Sequence, residues 1–506
     1  MPLPFLATVA FDGLPAWMPQ PWTVAQAVGS VGALAAIKYY ASGATNDSER
    51  KMHGRVVLIT GGTSGIGAVV AYEMARRGAS LVLLTAQAPS DPMVIDYIGE
   101  LRERTDNQLI YAEQADLASL HSIRTFATRW IDSLPPRRLD MVILCAAVEP
   151  IPLSGGAQSR LRGATTPEGI EGAWMVNYLA NFHLLGLLSP ALRSQPFDRD
   201  VRVIITTCSA YIGAPPLMAG TLSESEPVIG GKGGKGGKAE KATAAPTATV
   251  AEWTPKRAYA RSKLALMVFA RSFQKHVDAY ERPDKLPGNV RVLLVDPGLS
   301  RTPGMRRWLT GGSLLWLVLG YVLLYPLWWL LVKSADMGAQ SVLFASMEAQ
   351  LRRLQGLGSA GGSGSDDSSG NAKVGEPLAA EFENDLIAGK IIKECRLVDV
   401  ARRDVGDEAV AKALWEESDR LVEQTEKRAA AQRRAAQQAE EAAKQAEEAA
   451  AKAKKEAEAE AAQKSEIAAL VDAIKKGKKQ AGKEKEAEAK ATGAERKDDK
   501  KTRKRA

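Results

Sequence analysis

A tyrosine and a lysine one helical turn apart, Tyr259 and Lys263, are the side chains of this sequence best suited to move protons. On a helix this spacing places both side chains on one face. A tyrosine with its ordinary pKa of about 10 is a poor base at neutral pH, but a neighbouring ammonium stabilises the phenolate and lowers that pKa. The pair is therefore expected to protonate a carbonyl oxygen or to deprotonate an alcohol.

A cluster of glycines lies far upstream, between an apolar run and the helix predicted over Ala68–Arg77. The cluster reads Thr60-Gly61-Gly62-Thr63-Ser64-Gly65-Ile66-Gly67. Glycines allow a tight turn and let the backbone approach a pyrophosphate, which the positive end of the following helix attracts. In this strand–turn–helix context the cluster predicts a dinucleotide-binding site.

The elements that must position these residues are continuous apolar runs of strand length. They are Arg55–Thr60, Ser80–Thr85, Leu139–Cys145, Val201–Cys208 and Val290–Asp296. Continuous rather than alternating hydrophobicity indicates burial on both faces, as in a parallel sheet covered by helices. Helical segments fall between the runs, so the sequence predicts an α/β fold with a Rossmann-type doubly wound parallel sheet.

The glycine-rich turn and the later Tyr-x-x-x-Lys pair resemble the short-chain dehydrogenase/reductase family, whose members move a hydride between a nicotinamide cofactor and an alcohol or carbonyl. The segment around Asn177, Val176-Asn177-Tyr178, is similar to that of retinol-dehydrogenase-like members. Two later segments, Gly389-Lys390-Ile391-Ile392 and residues 411–418, look like the C-terminal end of retinol-dehydrogenase-like and WW-domain-oxidoreductase-like members. The resemblance covers residues 54–422.

The resemblance implies a role for each of four catalytic residues. Tyr259 would be the general acid/base, and Lys263 would anchor the ribose and adjust the tyrosine pKa. Ser209 would donate a hydrogen bond to the substrate oxygen, and Asn177 would hold a proton-relay water. No metal ion is implied, because Cys145, Cys208 and Cys395 are far apart and lack metal-ligand spacing.

The resemblance also implies a set of cofactor-binding residues. Besides Tyr259 and Lys263, they are Gly61, Thr63, Ser64, Gly65, Ile66, Gly67, Asp116, Leu117, Ala146, Pro297, Gly298 and Thr302. The second strand ends in Thr85-Ala86-Gln87, which offers neither the acid typical of NAD sites nor the arginine of NADP sites. The missing acid favours NADP over NAD. The fourth-strand motif, usually Asn-Asn-Ala-Gly, reads Leu144-Cys145-Ala146-Ala147 and lacks the asparagine side chains.

The stretch Leu314–Val332 carries no charge and is flanked by Arg306, Arg307 and Lys333, a pattern typical of a membrane segment. The residues on both of its sides belong to one catalytic domain, so we expect a monotopic or re-entrant element, with Gly320 and Pro326 as bend points. The family's substrate loop follows the Pro-Gly motif. The position therefore predicts a lipophilic substrate from the bilayer, such as a retinoid, sterol or long-chain ketone.

The rest of the chain divides by composition. Residues 1–53 form an N-terminal extension whose apolar stretch Trp22–Ile37 is a candidate membrane anchor or, alternatively, a helix packed on the domain. Two low-complexity insertions, at about 220–252 and 356–375, are too polar and glycine-rich to fold and are predicted to be disordered. Residues 423–506 predict a charged, solvated helical tail with a basic end; the lack of an apolar heptad disfavours a coiled coil.

The net charge of +8 comes largely from this basic end, so it does not describe a folded basic face. Nucleic-acid binding is not expected, because the tail lacks interleaved aromatics. Contact of the tail with an anionic lipid or a protein stays open, as does a homodimer. The sequence thus predicts a membrane-associated NAD(P)-dependent oxidoreductase whose catalytic domain is cytosolic, at the endoplasmic reticulum or a lipid droplet. The alternative is a catalytically inactive nucleotide-binding scaffold that acts through its tail.

Overall fold

The computed structural model describes residues 21–148, 166, 168–196, 199–217, 254–286, 288–310, 313–348 and 390–502. The two insertions predicted at 220–252 and 356–375 lie outside these residues. The chain divides into two compact units, Met1–Lys427 and Arg428–Ala506.

The first unit is built on one eight-stranded sheet. Its strands are β1 (Val56–Thr60), β2 (Ser80–Thr85), β3 (Ile110–Gln114), β4 (Met141–Leu144), β5 (Val201–Thr206), β6 (Val290–Asp296), β7 (Lys390–Lys393) and β8 (Arg396–Asp399). They lie in the order β3-β2-β1-β4-β5-β6-β7-β8. Neighbours from β3 to β7 pair in parallel, and β8 closes an antiparallel hairpin with β7. The predicted parallel α/β sheet is confirmed.

The helices that the structure describes are α1 (Pro21–Ser42), α2 (Gly65–Arg76), α3 (Pro92–Thr105), α4 (Leu120–Ile131), α5 (Gly172–Trp174), α6 (Ala180–Arg193), α7 (Pro255–Asp278), α8 (Pro303–Thr310), α9 (Leu314–Trp316), α10 (Tyr325–Leu331), α11 (Ala335–Met347) and α12 (Glu408–Thr502). Of these, α2, α3 and α11 cover one face of the sheet, and α4, α6 and α7 cover the other. Along β1, Leu58 belongs to the core under α4, α6 and α7, whereas Val57 and Ile59 belong to the core under α2, α3 and α11. Both faces are therefore buried, which explains the continuous apolar runs.

The residues between α1 and β1 pack on this unit. Met52 is fully buried in the core under α2. Arg50 pairs with Asp200 at 2.6 Å, and the Asn46 backbone N–H donates to Gln340 Oε1 at 3.0 Å. Helix α1 contacts α10, where Lys38 Nζ donates to the Trp329 carbonyl oxygen at 2.7 Å. The N-terminal extension is thus attached to the unit from α1 onward.

Residues 303–331 form what we call the apolar excursion, because the chain leaves the sheet edge and returns to it. Its base is closed by a parallel bridge between Ser300 and Lys333, beside which the Arg301 N–H donates to the Lys333 carbonyl oxygen at 2.8 Å. Both ends of the excursion therefore start from the same place on the unit.

Within the excursion, the uncharged stretch is broken into short pieces. Helix α9 continues into a π-helical turn at Leu317–Val322, and α10 follows with Pro326 in its first turn. The Trp328 indole donates to the Gly320 carbonyl oxygen at 2.9 Å and so ties the two arms together. Across the helices that the structure describes, none combines the length and the apolarity needed to cross a bilayer.

The start of α12 completes the core of the first unit. The Trp415 ring lies 5.2 Å from that of Phe182 and 5.7 Å from that of Phe269. The Ser418 and Tyr178 hydroxyls are 2.6 Å apart. These contacts explain why the family resemblance extends into this helix.

The second unit continues as a charged helix. Glu440 and Glu460 pair with lysines four residues later at 2.8 and 2.7 Å. An exposed apolar stripe occupies about two turns of this helix, at Ile467, Leu470, Val471 and Ile474. One such stripe is shorter than the several heptads that define a coiled coil, and a coiled coil is therefore not confirmed for this helix.

Candidate active site

The functional residues predicted from the sequence meet at one edge of the sheet. Strands β1, β4, β5 and β6 are parallel neighbours, so their carboxyl ends lie side by side. The segments that follow these ends carry the glycine-rich turn, Ala146, Ser209 and Pro297-Gly298. Helix α7 packs on β6 and carries Tyr259 and Lys263 along the same edge. In doubly wound sheets this edge is where ligands bind.

The glycine-rich turn is closely packed against its neighbours. Gly61 has a φ of +68°, and a Cβ on it would lie 2.8 Å from the backbone of Ala146. A Cβ on Gly67 would lie 2.2 Å from the Gly61 carbonyl oxygen. Thr63 and Ser64, between these packed glycines, are exposed at the N-terminus of α2. Backbone N–H groups and the helix dipole favour a phosphate at this position. The turn therefore fits the pyrophosphate of a dinucleotide.

The loop after β6 meets this turn. The Thr302 Cγ2 lies 3.3 Å from the place that a Cβ on Gly65 would take. Pro297 is buried, and the Gly298 N–H donates to Asp296 Oδ1 at 2.9 Å. Ile66 packs against the core under α2 and α3. The structure thus brings Ala146, the glycine-rich turn and the Pro-Gly segment together.

Asp116 and Leu117 lie farther along the same edge, after β3. The Asp116 Oδ1 accepts the Ala118 N–H at 2.9 Å, and Leu117 is buried in the core under α4. The turn after β2 lies between them and the glycine-rich turn. In that turn Ala86 and Gln87 are exposed, and the Thr85 hydroxyl donates to the Gln87 carbonyl oxygen at 2.9 Å.

Tyr259 and Lys263 occupy the first turns of α7, as their spacing predicts. The Lys263 Nζ lies 5.8 Å from the centroid of the Tyr259 ring and donates to the Thr206 carbonyl oxygen at 3.1 Å. Lys263 is only 2% exposed, so its charge acts in a largely dry environment. The pair therefore has an arrangement in which the ammonium can stabilise a phenolate.

Cys208 is a neighbour of this pair that was not predicted from the sequence. Its Sγ lies 3.6 Å from the Tyr259 hydroxyl oxygen. Burial raises the pKa of the Cys208 thiol, and the charges of Lys263 and Asp296 act on it in opposite directions. The thiol is therefore neutral at physiological pH and donates to the tyrosine hydroxyl. No motif marks this residue, because it takes the position before the predicted serine.

Asn177 lies in a π-helical turn at Met175–Leu179 and is fully buried. Its Oδ1 accepts the Val148 N–H at 2.7 Å, and its Nδ2 donates to the Val148 carbonyl oxygen at 2.9 Å. The same Nδ2 donates to Ser262 Oγ at 3.0 Å. The side chain thus fastens the loop after β4 to α7, while the predicted relay water remains a prediction.

Ser209 is held by two charged residues that sequence reasoning missed. Its hydroxyl donates to Asp296 Oδ2 at 2.5 Å, and Lys393 Nζ donates to its Oγ at 2.9 Å. Asp296 precedes the Pro-Gly segment, so its position was visible in the sequence. Lys393 comes from β7, and no signal linked it to the site.

A Rossmann-type sheet with a phosphate-binding turn and a Tyr–Lys pair at the same edge defines a dinucleotide-dependent oxidoreductase. A family model described as short chain dehydrogenase matches residues 55–219. The chain is 35% identical over 430 residues to the uncharacterized oxidoreductase pbr1 of Schizosaccharomyces pombe, which covers 84% of this chain and 97% of the relative.

Two further relatives agree with this match. The uncharacterized oxidoreductase YNL181W of Saccharomyces cerevisiae is 34% identical over 446 residues, covering 86% of this chain and 95% of the relative. Retinol dehydrogenase 13 of Homo sapiens is 27% identical over 332 residues, covering 65% of this chain and 83% of the relative. The chain therefore belongs to the short-chain dehydrogenase family, is similar to its retinol-dehydrogenase-like members, and is an oxidoreductase for alcohol and ketone substrates. Members of this family use NAD or NADP.

Proposed function

We propose that this protein is an NADP(H)-dependent oxidoreductase that interconverts a lipophilic alcohol and its ketone or aldehyde at a membrane. The observation that carries the proposal is the position of the apolar excursion. The excursion begins at Pro303, directly after Thr302 of the cofactor loop, and its base at Lys333 is bonded to the same loop. A substrate dissolved in lipid around the excursion would therefore meet the protein next to its catalytic edge.

The excursion and α1 share an exposed apolar surface, which we call the apolar platform. Leu315, Trp316 and Leu323 are 64, 60 and 70% exposed, and Trp22 of α1 is 70% exposed. Lys38 of α1 bonds to α10 and so joins the two parts. Large exposed apolar surfaces mark binding sites for membranes or proteins.

Basic residues next to the platform favour a membrane over a protein as its partner. Arg306 and Arg307 are exposed on α8, at the start of the excursion. Cations in this position attract the anionic headgroups of a cytosolic leaflet. The excursion consists of short helical pieces whose two ends meet at one base, which fits an element that dips into one leaflet.

The residues of the site divide the chemistry between them. The nicotinamide cofactor, when bound, supplies or accepts the hydride. Tyr259 gives its hydroxyl proton to the carbonyl oxygen during reduction and takes it back from the alcohol during oxidation. Lys263 stabilises the phenolate that results, because its buried ammonium lies close to the tyrosine ring. Asn177 holds the loop after β4 against α7 through its three hydrogen bonds.

The preference for NADP is supported by the turn after β2. It contains Thr85, Ala86 and Gln87 and therefore no carboxylate to hold a ribose 2′-hydroxyl or to repel a 2′-phosphate. The name of retinol dehydrogenase 13 makes retinal the first substrate to test, with 2-decanone as a ketone of comparable lipophilicity. The proposal places the enzyme on the cytosolic face of the endoplasmic reticulum or on lipid droplets.

Titration of NADPH and NADH into detergent-solubilised protein, followed by assays with retinal and 2-decanone, tests this proposal. We expect NADPH to bind more tightly than NADH, and at least one lipophilic carbonyl to be reduced. Cofactor binding without turnover of any alcohol or carbonyl would instead favour the nucleotide-binding scaffold. A folded protein that binds neither cofactor would contradict both the oxidoreductase function and the nucleotide-binding scaffold.

The apolar platform is expected to bind vesicles directly. Replacing Leu315, Trp316 and Leu323 together by Ser should weaken binding to vesicles of phosphatidylcholine and phosphatidylserine at least about 100-fold. The reason is that each buried large apolar side chain contributes about 1.5–3 kcal/mol, and about 1.4 kcal/mol is tenfold in affinity. Flotation of the vesicles measures the bound fraction.

A matched control replaces three exposed apolar side chains away from the platform, Met93, Ile95 and Leu109, by Ser. These residues are 80, 55 and 49% exposed. The control therefore removes a similar apolar surface, but near β2 and β3, at the other end of the sheet from the excursion. It should float like the wild type, and both variants should keep the wild-type melting temperature. Equal flotation of the platform variant and the wild type would contradict the membrane part of the proposal.

A further inference from the structure

Three side chains from neighbouring strand ends form a polar triad at the catalytic edge of the sheet: Ser209, which follows Cys208 after β5, Asp296 at the end of β6, and Lys393 at the end of β7. The Lys393 Nζ lies 2.9 Å from Ser209 Oγ and 3.4 Å from Asp296 Oδ2. The Ser209 hydroxyl donates to the same Asp296 oxygen at 2.5 Å. Because β5, β6 and β7 are adjacent parallel strands, their carboxyl ends hold these three groups together.

The hydrogen bonds of the triad leave Asp296 firmly fixed. Its Oδ1 accepts the Gly298 N–H at 2.9 Å, and its Oδ2 accepts the single hydroxyl hydrogen of Ser209. The Asp296 side chain is 2% exposed, whereas that of Lys393 is 39% exposed. A buried carboxylate thus lies against the serine that the family assigns to the substrate oxygen, and Lys393 is its ion-pair partner.

The charge of this carboxylate matters for the chemistry. Negative charge develops on the substrate oxygen as a carbonyl accepts hydride, and a bare carboxylate nearby would oppose it. The carboxylate would also compete with the substrate oxygen for the Ser209 hydroxyl hydrogen, since hydrogen bonds to charged acceptors are stronger than those to neutral ones. A cation paired with the carboxylate weakens both effects.

We propose that Lys393 is a positioning residue of the active site, the counter-ion of Asp296 that allows the Ser209 hydroxyl to turn from the carboxylate to the substrate oxygen. The inference rests on the proposed oxidoreductase function. It assigns to the β7–β8 hairpin a part in catalysis besides its part in the sheet.

Other charged and titratable groups lie around the triad and are retained in every Lys393 variant. They are Cys208, Tyr259 and Lys263 from the side of β5 and α7, and the Lys333–Glu394 ion pair from the side of Gly298. The Lys263 ammonium donates to the Thr206 carbonyl oxygen at 3.1 Å. The charge of Lys393 also acts on Glu394.

The test compares Lys393→Met, Lys393→Arg and Asp296→Asn/Lys393→Met with the wild type, using NADPH and whichever of retinal or 2-decanone the wild type reduces. We expect Lys393→Met to lower kcat by about 10–100-fold at pH 8, the effect of one unbalanced charge several ångströms from the reacting oxygen. Lys393→Arg should stay within about threefold, because it keeps the charge. The double variant should recover to within about fivefold, since it removes the carboxylate charge together with its partner.

Rescue by the other two variants separates this effect from a structural defect. Lys393→Arg keeps the cation and the double variant removes the carboxylate charge, so both should recover turnover only if the charge balance at Asp296 matters. Lys390→Met, three residues earlier on the same strand and therefore on its opposite face, is the matched control and should keep wild-type turnover. Equal kcat for Lys393→Met and the wild type would overturn the inference, as would a double variant no better than the single one. Absence of turnover in the wild type itself would overturn the proposed function instead.

Discussion

Replacing Tyr259 by Phe is expected to lower kcat for reduction of a lipophilic carbonyl by about 10²–10⁴-fold, the range that a positioned acid–base group contributes. The substitution removes only the hydroxyl, which lies 3.6 Å from the Cys208 Sγ. The aromatic ring that lies 5.8 Å from Lys263 Nζ is kept. Affinity for NADPH, measured by fluorescence titration, should therefore change by no more than about threefold.

Tyr280→Phe provides the control for this experiment. Tyr280 lies two residues beyond the C-terminal end of α7, is 40% exposed and packs under Arg193 rather than in the site. It should retain wild-type kcat. If Tyr259→Phe turned over substrate as fast as Tyr280→Phe, the hydroxyl would not be the proton donor, and the assignment of the catalytic pair would fail.

The largest effect on folding is expected at Asp200, which binds the buried guanidinium of Arg202. The Asp200 carboxylate accepts from Arg202 Nη2 at 2.8 Å and from Nε at 3.1 Å, and the Arg202 side chain has no exposed surface. Asp200→Ala leaves this charge without its carboxylate, and breaking such a pair costs about 3–5 kcal/mol of unfolding free energy. Urea unfolding followed by tryptophan fluorescence measures the loss.

Glu100→Ala is the matched control, because it also removes a carboxylate that pairs with an arginine. The Glu100–Arg104 pair is exposed, with 64 and 60% of the side chains accessible. Its loss should change the unfolding free energy by less than about 1 kcal/mol. An Asp200→Ala chain that unfolds at the same urea concentration as Glu100→Ala would contradict the importance of the buried pair.

The Asp200 pair also predicts how stability depends on pH. Burial by itself would raise the pKa of Asp200, but the charges and hydrogen bonds of Arg202 and Arg50 lower that pKa from 3.8 to about 2. A carboxyl whose pKa is lower in the folded state stabilises the fold above pH 3.8 and loses this effect as the pH falls towards 2. The difference in unfolding free energy between the wild type and Asp200→Ala should therefore shrink by about 2 kcal/mol as the pH falls over that range.

Much of the fold was predictable because both faces of the sheet are buried. The run Val201–Thr206 is wholly buried in the structure, so burial left a signal in the sequence that no exposed strand leaves. Strand β3 is different: Tyr111 and Gln114 are exposed, and its pattern carries no continuous apolar run. Strands β7 and β8 are short and lie at the end of the sheet, with β8 at its edge. Of the two, only β7 overlaps a segment that carries the family resemblance.

The site was predictable to the extent that backbone geometry dictates residue type. A Cβ at Gly61 or Gly67 would collide with backbone atoms, so these positions must be glycine and are visible in any sequence. Lys393 was not visible, because its contact with Ser209 joins residues 184 positions apart and a lysine at the end of a short strand carries no motif. The proximity of Cys208 to Tyr259 likewise depends on the direction of one side chain at a strand end.

The closed base of the apolar excursion has an evolutionary consequence. Because Ser300 and Lys333 are bridged, residues between them can be lengthened, shortened or exchanged at a small cost in loop-closure entropy. The register of β6 is set by its pairing with β5 and β7, which lie outside the excursion. Under the proposed function, selection could thus change which lipophilic substrate the enzyme meets, one substitution at a time, while the sheet that positions the catalytic residues stays intact.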